Sequence, residues 1–132
     1  MKYLADTSAL LAMILRDDAH HASAARWLRA SRSARFVVSD LVVAELATRL
    51  RARAGAPRAV GAVRDLLRSP RYDLVFIDSA LLDGALDRME RLDDKRLSLT
   101  DCTSFELMEQ VGLQAAFTFD RDFRDCGFET VP

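Results

Sequence analysis

Apolar residues along this chain fall into two kinds of block. Short continuous runs, "KYLAD", "RFVVSD", "YDLVFID", "LQAAFTFD" and "GFETVP", read as strands bounded by polar or turn residues. Between them lie longer stretches whose apolar positions recur every three or four residues, the period of an amphipathic helix. "TSALLAMIL" is the first helix, with Thr7 or Ser8 available as its cap, and "DDAHHASAARWLRASRS" is the second, with Ala24, Trp27 and Leu28 on one side. "SDLVVAELATRLRARAG" starts at Ser39 or Asp40 and stops at Gly55, and Pro57 opens "PRAVGAVRDLLRS". "SALLDGALDRMERL" and "TDCTSFELMEQVG" are two more helices, joined by the polar loop "DDKRLS". Strands alternating with helices predict a short, mainly parallel central sheet covered on both faces, a three-layer α/β/α sandwich.

The length of 132 residues fits a single domain spanning 1–132, large enough to build its own core. Hydrophobic residues make up 50% and charged ones 30%, which excludes a disordered or fibrous chain. Cys102 and Cys126 form no C-x-x-C pair and read as small core residues of a protein kept in a reducing compartment. "MKYLADTSALLAMILRDDAHHASA" imitates a secretory signal, but Asp6 breaks its apolar run and "RDD" follows at once. The run from Ala9 to Leu15 is far below the ~20 residues of a membrane span, so a cytoplasmic protein is expected, with no membrane partner.

Net charge is −1, yet the segment Arg26–Arg71 holds eleven Arg against Asp40, Glu45 and Asp65, a local +8 that leaves −9 elsewhere. Such a segment is a candidate surface for phosphate backbones. Equally, 17 Arg against two Lys can reflect base composition, with the guanidiniums only solvating helix faces.

The acids carry more information. Ligands of open parallel sheets bind beyond the carboxyl ends of the strands, and Asp6 and Asp120 each follow an apolar run there. Both also suit helix caps or turns. With Leu41 at 0° on a helical wheel, Glu45 falls at about 40° and Leu46 at about 140°, so Glu45 borders the buried stripe; it can also pair with Arg49 one turn on. Asp101 shares its angle with Phe105 and Met108, a carboxylate on an apolar stripe. A first-turn cap with Ser98 or Thr100 explains part of this, but a half-buried carboxylate also needs a cation, and no Lys or Arg occurs between Arg96 and Arg121. Two carboxylates 4 Å apart repel by about 4 kcal/mol at an effective dielectric near 20. Oxygen donors without a His or Cys set favour Mg²⁺, with Mn²⁺ as substitute, over zinc.

"YLADTSAL", "VVAELATRL", "SLTDCTSFELM" and "AFTFDRDF", in that order, resemble the four acidic motifs of PIN domains, across essentially the whole chain. The short length and "DTSAL" look most like the VapC-type toxins of toxin–antitoxin pairs. That resemblance implies a Mg²⁺- or Mn²⁺-dependent endoribonuclease cutting single-stranded RNA, with Asp6, Glu45, Asp101 and Asp120 as catalytic, metal-binding acids. It makes Thr7 and Ser104 supporting polar residues, and implies a cognate antitoxin partner, a homodimer and a larger toxin–antitoxin assembly. The last acidic position varies in the family, and "FDRDF" offers both Asp120 and Asp122; Asp120 is preferred because it directly follows the strand. The alternative is a PIN-like scaffold that binds RNA or protein without cutting.

Other chemistries fit less well. His20 and His21 are adjacent and point about 100° apart on a helix, too divergent to clasp one metal. The serines have no neighbouring His and no G-x-S-x-G elbow, and no phosphate-cradling glycine loop occurs. Asp6 lacks the second acid of a D-x-D-x-T/V phosphatase. Trp27, Phe117 and Phe119 read as packing residues.

Overall fold

The computed structural model describes residues 1–132. Five strands, β1 (Lys2–Ala5), β2 (Arg35–Ser39), β3 (Tyr72–Val75), β4 (Ala115–Phe117) and β5 (Glu129–Val131), form one sheet in the order β3-β2-β1-β4-β5, all pairs parallel. Seven helices accompany them: α1 (Thr7–Ile14), α2 (His21–Ala30), α3 (Asp40–Ala54), α4 (Ala56–Arg68), α5 (Ser79–Arg91), α6 (Leu99–Val111) and α7 (Arg121–Asp125).

Two cores lie on the two faces of the sheet. The first packs α1 to α4 through Leu10, Val42, Leu46, Leu50 and Leu66 against Phe36 and Val38, and it holds Trp27 in an aromatic group with Tyr3, Phe36 and Phe117. The second packs α5 to α7 through Leu81, Ala85, Phe105, Met108 and Phe123 against Leu4 and Val37, with Cys102 inside it and Cys126 at its margin. Both cysteines are free thiols. The expected α/β/α sandwich is therefore present, with a wholly parallel sheet. No helix is long and apolar enough to cross a membrane.

Several local expectations change. α1 is capped by Asp6, whose side chain accepts from Ser8 N–H, and not by Thr7 or Ser8, because the chain turns helical immediately after β1. α2 begins at His21 instead of Asp17, and the loop "DDKRLS" contains a 3₁₀ turn over Asp93–Lys95. β4 ends at Phe117, so Asp120 does not directly follow the strand: Thr118 and Phe119 intervene, and Asp120 caps α7, a helix too short for periodicity to reveal. Ser39 and Gly55 bound α3 as expected.

The topology fixes where chemistry can happen. From β1 the chain crosses to β2 on one side, while β4 lies on the other, so the β1/β4 boundary is a switch point that opens a crevice at the strands' carboxyl ends. Asp6 leaves β1 at that crevice, and Thr118 to Asp120 leave β4 beside it.

Candidate active site

A polar cavity of about 170 Å³ occupies the crevice, lined by Asp6, Thr7, Ser8, Glu45, Arg49, Arg96, Ser98, Asp101 and Asp120, with no apolar side chain among them. The four candidate acids thus arrive from four elements: the end of β1, the second turn of α3, the first turn of α6 and the cap of α7. A larger groove of about 370 Å³ between α3 and α4, lined by residues such as Ala59, Val60 and Val63, contains none of them; chemistry, not size, marks the site.

Asp6 is the most enclosed, 5% exposed. Ser8 Oγ and Thr118 Oγ1 donate to its Oδ2 at 2.7 and 2.8 Å. The same hydroxyls accept from the backbone N–H groups of Phe119 and Asp120, both at 2.9 Å. Each hydroxyl therefore passes a bond from the β4 exit to the carboxylate, which fixes Asp6 across the switch point. Burial pushes the Asp6 carboxyl up; the bonds from Ser8 and Thr118 oppose this and the charge of Asp120 adds to it.

Asp101 combines two roles that looked like alternatives in the sequence. It closes a capping box with Ser98, Oγ of Ser98 accepting from Asp101 N–H at 3.0 Å and Asp101 Oδ2 accepting from Ser98 N–H at 3.2 Å. It also lines the cavity, where burial, with the charges of Asp6 and Asp120 adding to it, pushes its pKa up to about 6 against the bonds from Ser98. Glu45 likewise keeps both readings: it lines the cavity and lies 3.7 Å from Arg49 Nη2.

Asp122 is outside the cavity lining, but one carboxylate oxygen each from Asp101, Asp120 and Asp122 lie within 4.8 Å of one another. Asp101 and Asp120 therefore belong to two overlapping acid groups. Asp122 N–H donates to Asp120 Oδ1 at 2.9 Å, and burial first, then Asp120 and Asp125, push the Asp122 carboxyl up. The Oγ1 of Thr7 and the Oγ of Ser104 are buried without a partner; Thr7 lines the cavity and Ser104 does not. A set of hard oxygen donors crowded into one polar cavity, beside an orphaned hydroxyl, fits a divalent cation and its waters.

Ser8 and Thr118 were not singled out as site residues from sequence. The signal available was a hydroxyl two residues on either side of an acid, "DTS" and "TFD", which is common around helix caps and so carries little weight alone. His20 stacks on Phe119 and His21 Nδ1 meets the Ala12 carbonyl oxygen, so neither joins the acids.

Residues 3–129 match the PIN domain model, and the chain belongs to the PIN-domain family. Among curated proteins it is similar to the 23S rRNA-specific endonuclease VapC20 of Mycobacterium tuberculosis, 35% identical over 126 residues, 96% of this chain and 95% of that one. Ribonuclease VapC26 of the same species is 28% identical over 116 residues, 88% of this chain and 84% of its own. The crystal structure of VapC20, described as a sarcin-ricin loop cleaving toxin, matches with a TM-score of 0.89 and 34% identity, covering 98% of this chain and 99% of the other. VapBC2 from Rickettsia felis, bound to promoter DNA, shares the fold at a TM-score of 0.72 and 14% identity, covering 98% and 97%.

Proposed function

We propose that this chain is a divalent-metal-dependent endoribonuclease, acting as one PIN domain over residues 1–132 and serving as the toxin of a toxin–antitoxin pair in the cytoplasm. One observation carries the reading: carboxylates from four separate elements converge on a single polar cavity, in a chain 35% identical over 96% of its length to a 23S rRNA endonuclease. Asp6, Glu45, Asp101 and Asp120 are the proposed catalytic and metal-binding acids, with Asp122 as a further donor. Thr7 supports the site through its unpartnered hydroxyl, and Ser104, whose hydroxyl is also unpartnered one turn after Asp101, supports it from outside the cavity lining.

A bound Mg²⁺ or Mn²⁺ supplies charge neutralisation at the phosphodiester and activation of water for in-line attack. The chain's own residues do the rest. Ser8 and Thr118 hold the Asp6 carboxylate in one orientation, and the capping box holds Asp101, so both acids are set before any ligand arrives. Repulsion among these acids is relieved by a shared cation, which favours metal uptake.

The relative's named substrate makes 23S rRNA, and its sarcin-ricin loop in particular, the first RNA to test. A cognate antitoxin, a homodimer and a larger toxin–antitoxin assembly complete the proposal. Exposed Phe76, Leu82 and Leu86, on the β3 exit and α5, supply apolar surface for such association. The decisive experiment incubates the purified chain with ribosomal RNA and a sarcin-ricin hairpin, with Mg²⁺ or Mn²⁺, with EDTA, and with Asp6→Asn. Cleavage that EDTA stops and Asp6→Asn lowers at least ~100-fold is expected, a loss of ~2.7 kcal/mol in transition-state stabilisation. RNA retained intact by the wild type in either metal would instead favour the non-catalytic scaffold.

A further inference from the structure

We propose that Arg49 and Arg96 form a phosphate clamp across the acidic pocket, two guanidiniums that grip the RNA backbone and position it over the carboxylates. The clamp rests on the ribonuclease reading and deepens it, assigning the substrate's anionic backbone to named side chains. A pocket of carboxylates repels a polyanion even as it attracts cations, so substrate needs a separate source of positive charge. Arg49 and Arg96 are the only cations lining the cavity. They enter from opposite layers of the sandwich, Arg49 from α3 on the first face and Arg96 from the loop leading into α6 on the second.

Arg96 carries the strongest observation. Its backbone lies in the left-handed region, φ 52 and ψ 39, and no other non-glycine residue in the chain has a positive φ. Glycine or asparagine would adopt this conformation more readily than arginine. The Arg96 side chain is exposed and takes part in none of the ion pairs. The left-handed backbone ends the 3₁₀ turn Asp93–Lys95, where glycine is the usual residue; an arginine there, at the rim of the cavity, points to a role for the side chain itself.

Arg49 is available for the same task. Its contact with Glu45 is long, 3.7 Å, and its side chain is 59% exposed, so a phosphate oxygen can replace the carboxylate. Other arginines of the basic segment are committed elsewhere: Arg71 donates to the Ser31 and Ala34 carbonyl oxygens, and Arg35 pairs with Asp73. Of the eleven arginines in that segment, Arg49 alone lines the acidic pocket. A guanidinium presents paired donors that match two phosphate oxygens, which an ammonium does not.

The test uses the full chain and a fluorescent single-stranded oligoribonucleotide. Anisotropy is read in the Asp6→Asn background across a salt series, and cleavage kinetics and melting temperature in the otherwise wild-type protein. Arg96→Gly relieves the left-handed backbone, so it should melt no lower than wild type while binding RNA about tenfold more weakly, the salt slope shrinking by about 0.7. KM should rise with kcat nearly constant. Arg96→Lys should bind between the two, and Arg49→Ala should repeat the loss of affinity. Unchanged affinity, slope and KM in Arg96→Gly and Arg49→Ala, with a wild type that cuts, would overturn the clamp alone. A fall in kcat with affinity and slope intact would also overturn it, moving the arginines into the chemical step. A wild type that neither binds nor cuts RNA removes the ribonuclease reading and the clamp together.

Discussion

Helix α6 carries charge at both ends of its buried face, and the two ends are handled in opposite ways. Toward its C-terminus, Glu106 and Glu109 receive the guanidinium of Arg88 from α5 at 2.9 and 2.8 Å, and that guanidinium also lies over the Phe105 ring. Arg88 is only 6% exposed, and its two carboxylates hold its pKa up in spite of burial. Gly84 makes room for the arrangement: a Cβ there would stand 2.9 Å from Glu106 Oε2. At the N-terminus of the same helix Asp101 meets Asp6 and Asp120, and burial with like charge drives its pKa upward. One region satisfies its charges within the chain; the other leaves carboxylates facing carboxylates, and so depends on what binds. Stability should reside in the first and function in the second.

The largest effect should come from breaking the compensated end. Arg88→Met strips half-buried Glu106 and exposed Glu109 of their partner and should cost about 2 kcal/mol in urea unfolding, the buried-pair loss discounted for the exposure of the acids. Adding Glu106→Gln should recover part of that loss. Cleavage per folded molecule should not change in either variant. An Arg88→Met protein as stable as wild type would erase the contrast between the two ends.

Asp101→Asn should act with the opposite sign. Its folded pKa, about 6, lies above the ordinary 3.8, so folding favours the protonated form. Stability from this group is fully present below pH 3.8 and lost as pH rises through 6, which means the ionised carboxylate weighs against the apo fold at neutral pH. In EDTA at pH 7.5 the Asn variant should gain about 1–2 kcal/mol, discounted for partial exposure, with the gain vanishing below pH 4. A melting-temperature series against pH reads this directly, and a gain independent of pH would refute burial of charge as its cause.

The finest distinction separates Asp120 from Asp122. Asp120 belongs to both acid groups and Asp122 to one. Calorimetry should show Asp120→Asn weakening Mn²⁺ binding about tenfold, ~1.4 kcal/mol, and Asp122→Asn only about twofold. The reverse order would transfer the fourth acidic role to Asp122.

What the sequence determined by itself is whatever its neighbours within a turn or a strand encode. Alternating apolar runs and helical stripes placed the five strands and six of the seven helices, and the angle of Asp101 beside Phe105 and Met108 marked an acid directed at a core. Four acids at strand ends and on helix faces were legible for the same reason. Five-residue α7 was not, because it is too short for a period to register, and its arrival moved Asp120 from a strand end to a helix cap. Only the tertiary structure decided that Ser8 and Thr118, 110 residues apart, bind one carboxylate, that Asp122 comes within reach of Asp101, and that Arg96 and Arg49 border the same cavity. These contacts depend on β1 and β4 being neighbours in the sheet, and strand order is set by the packing of both cores together, which no local window of residues contains.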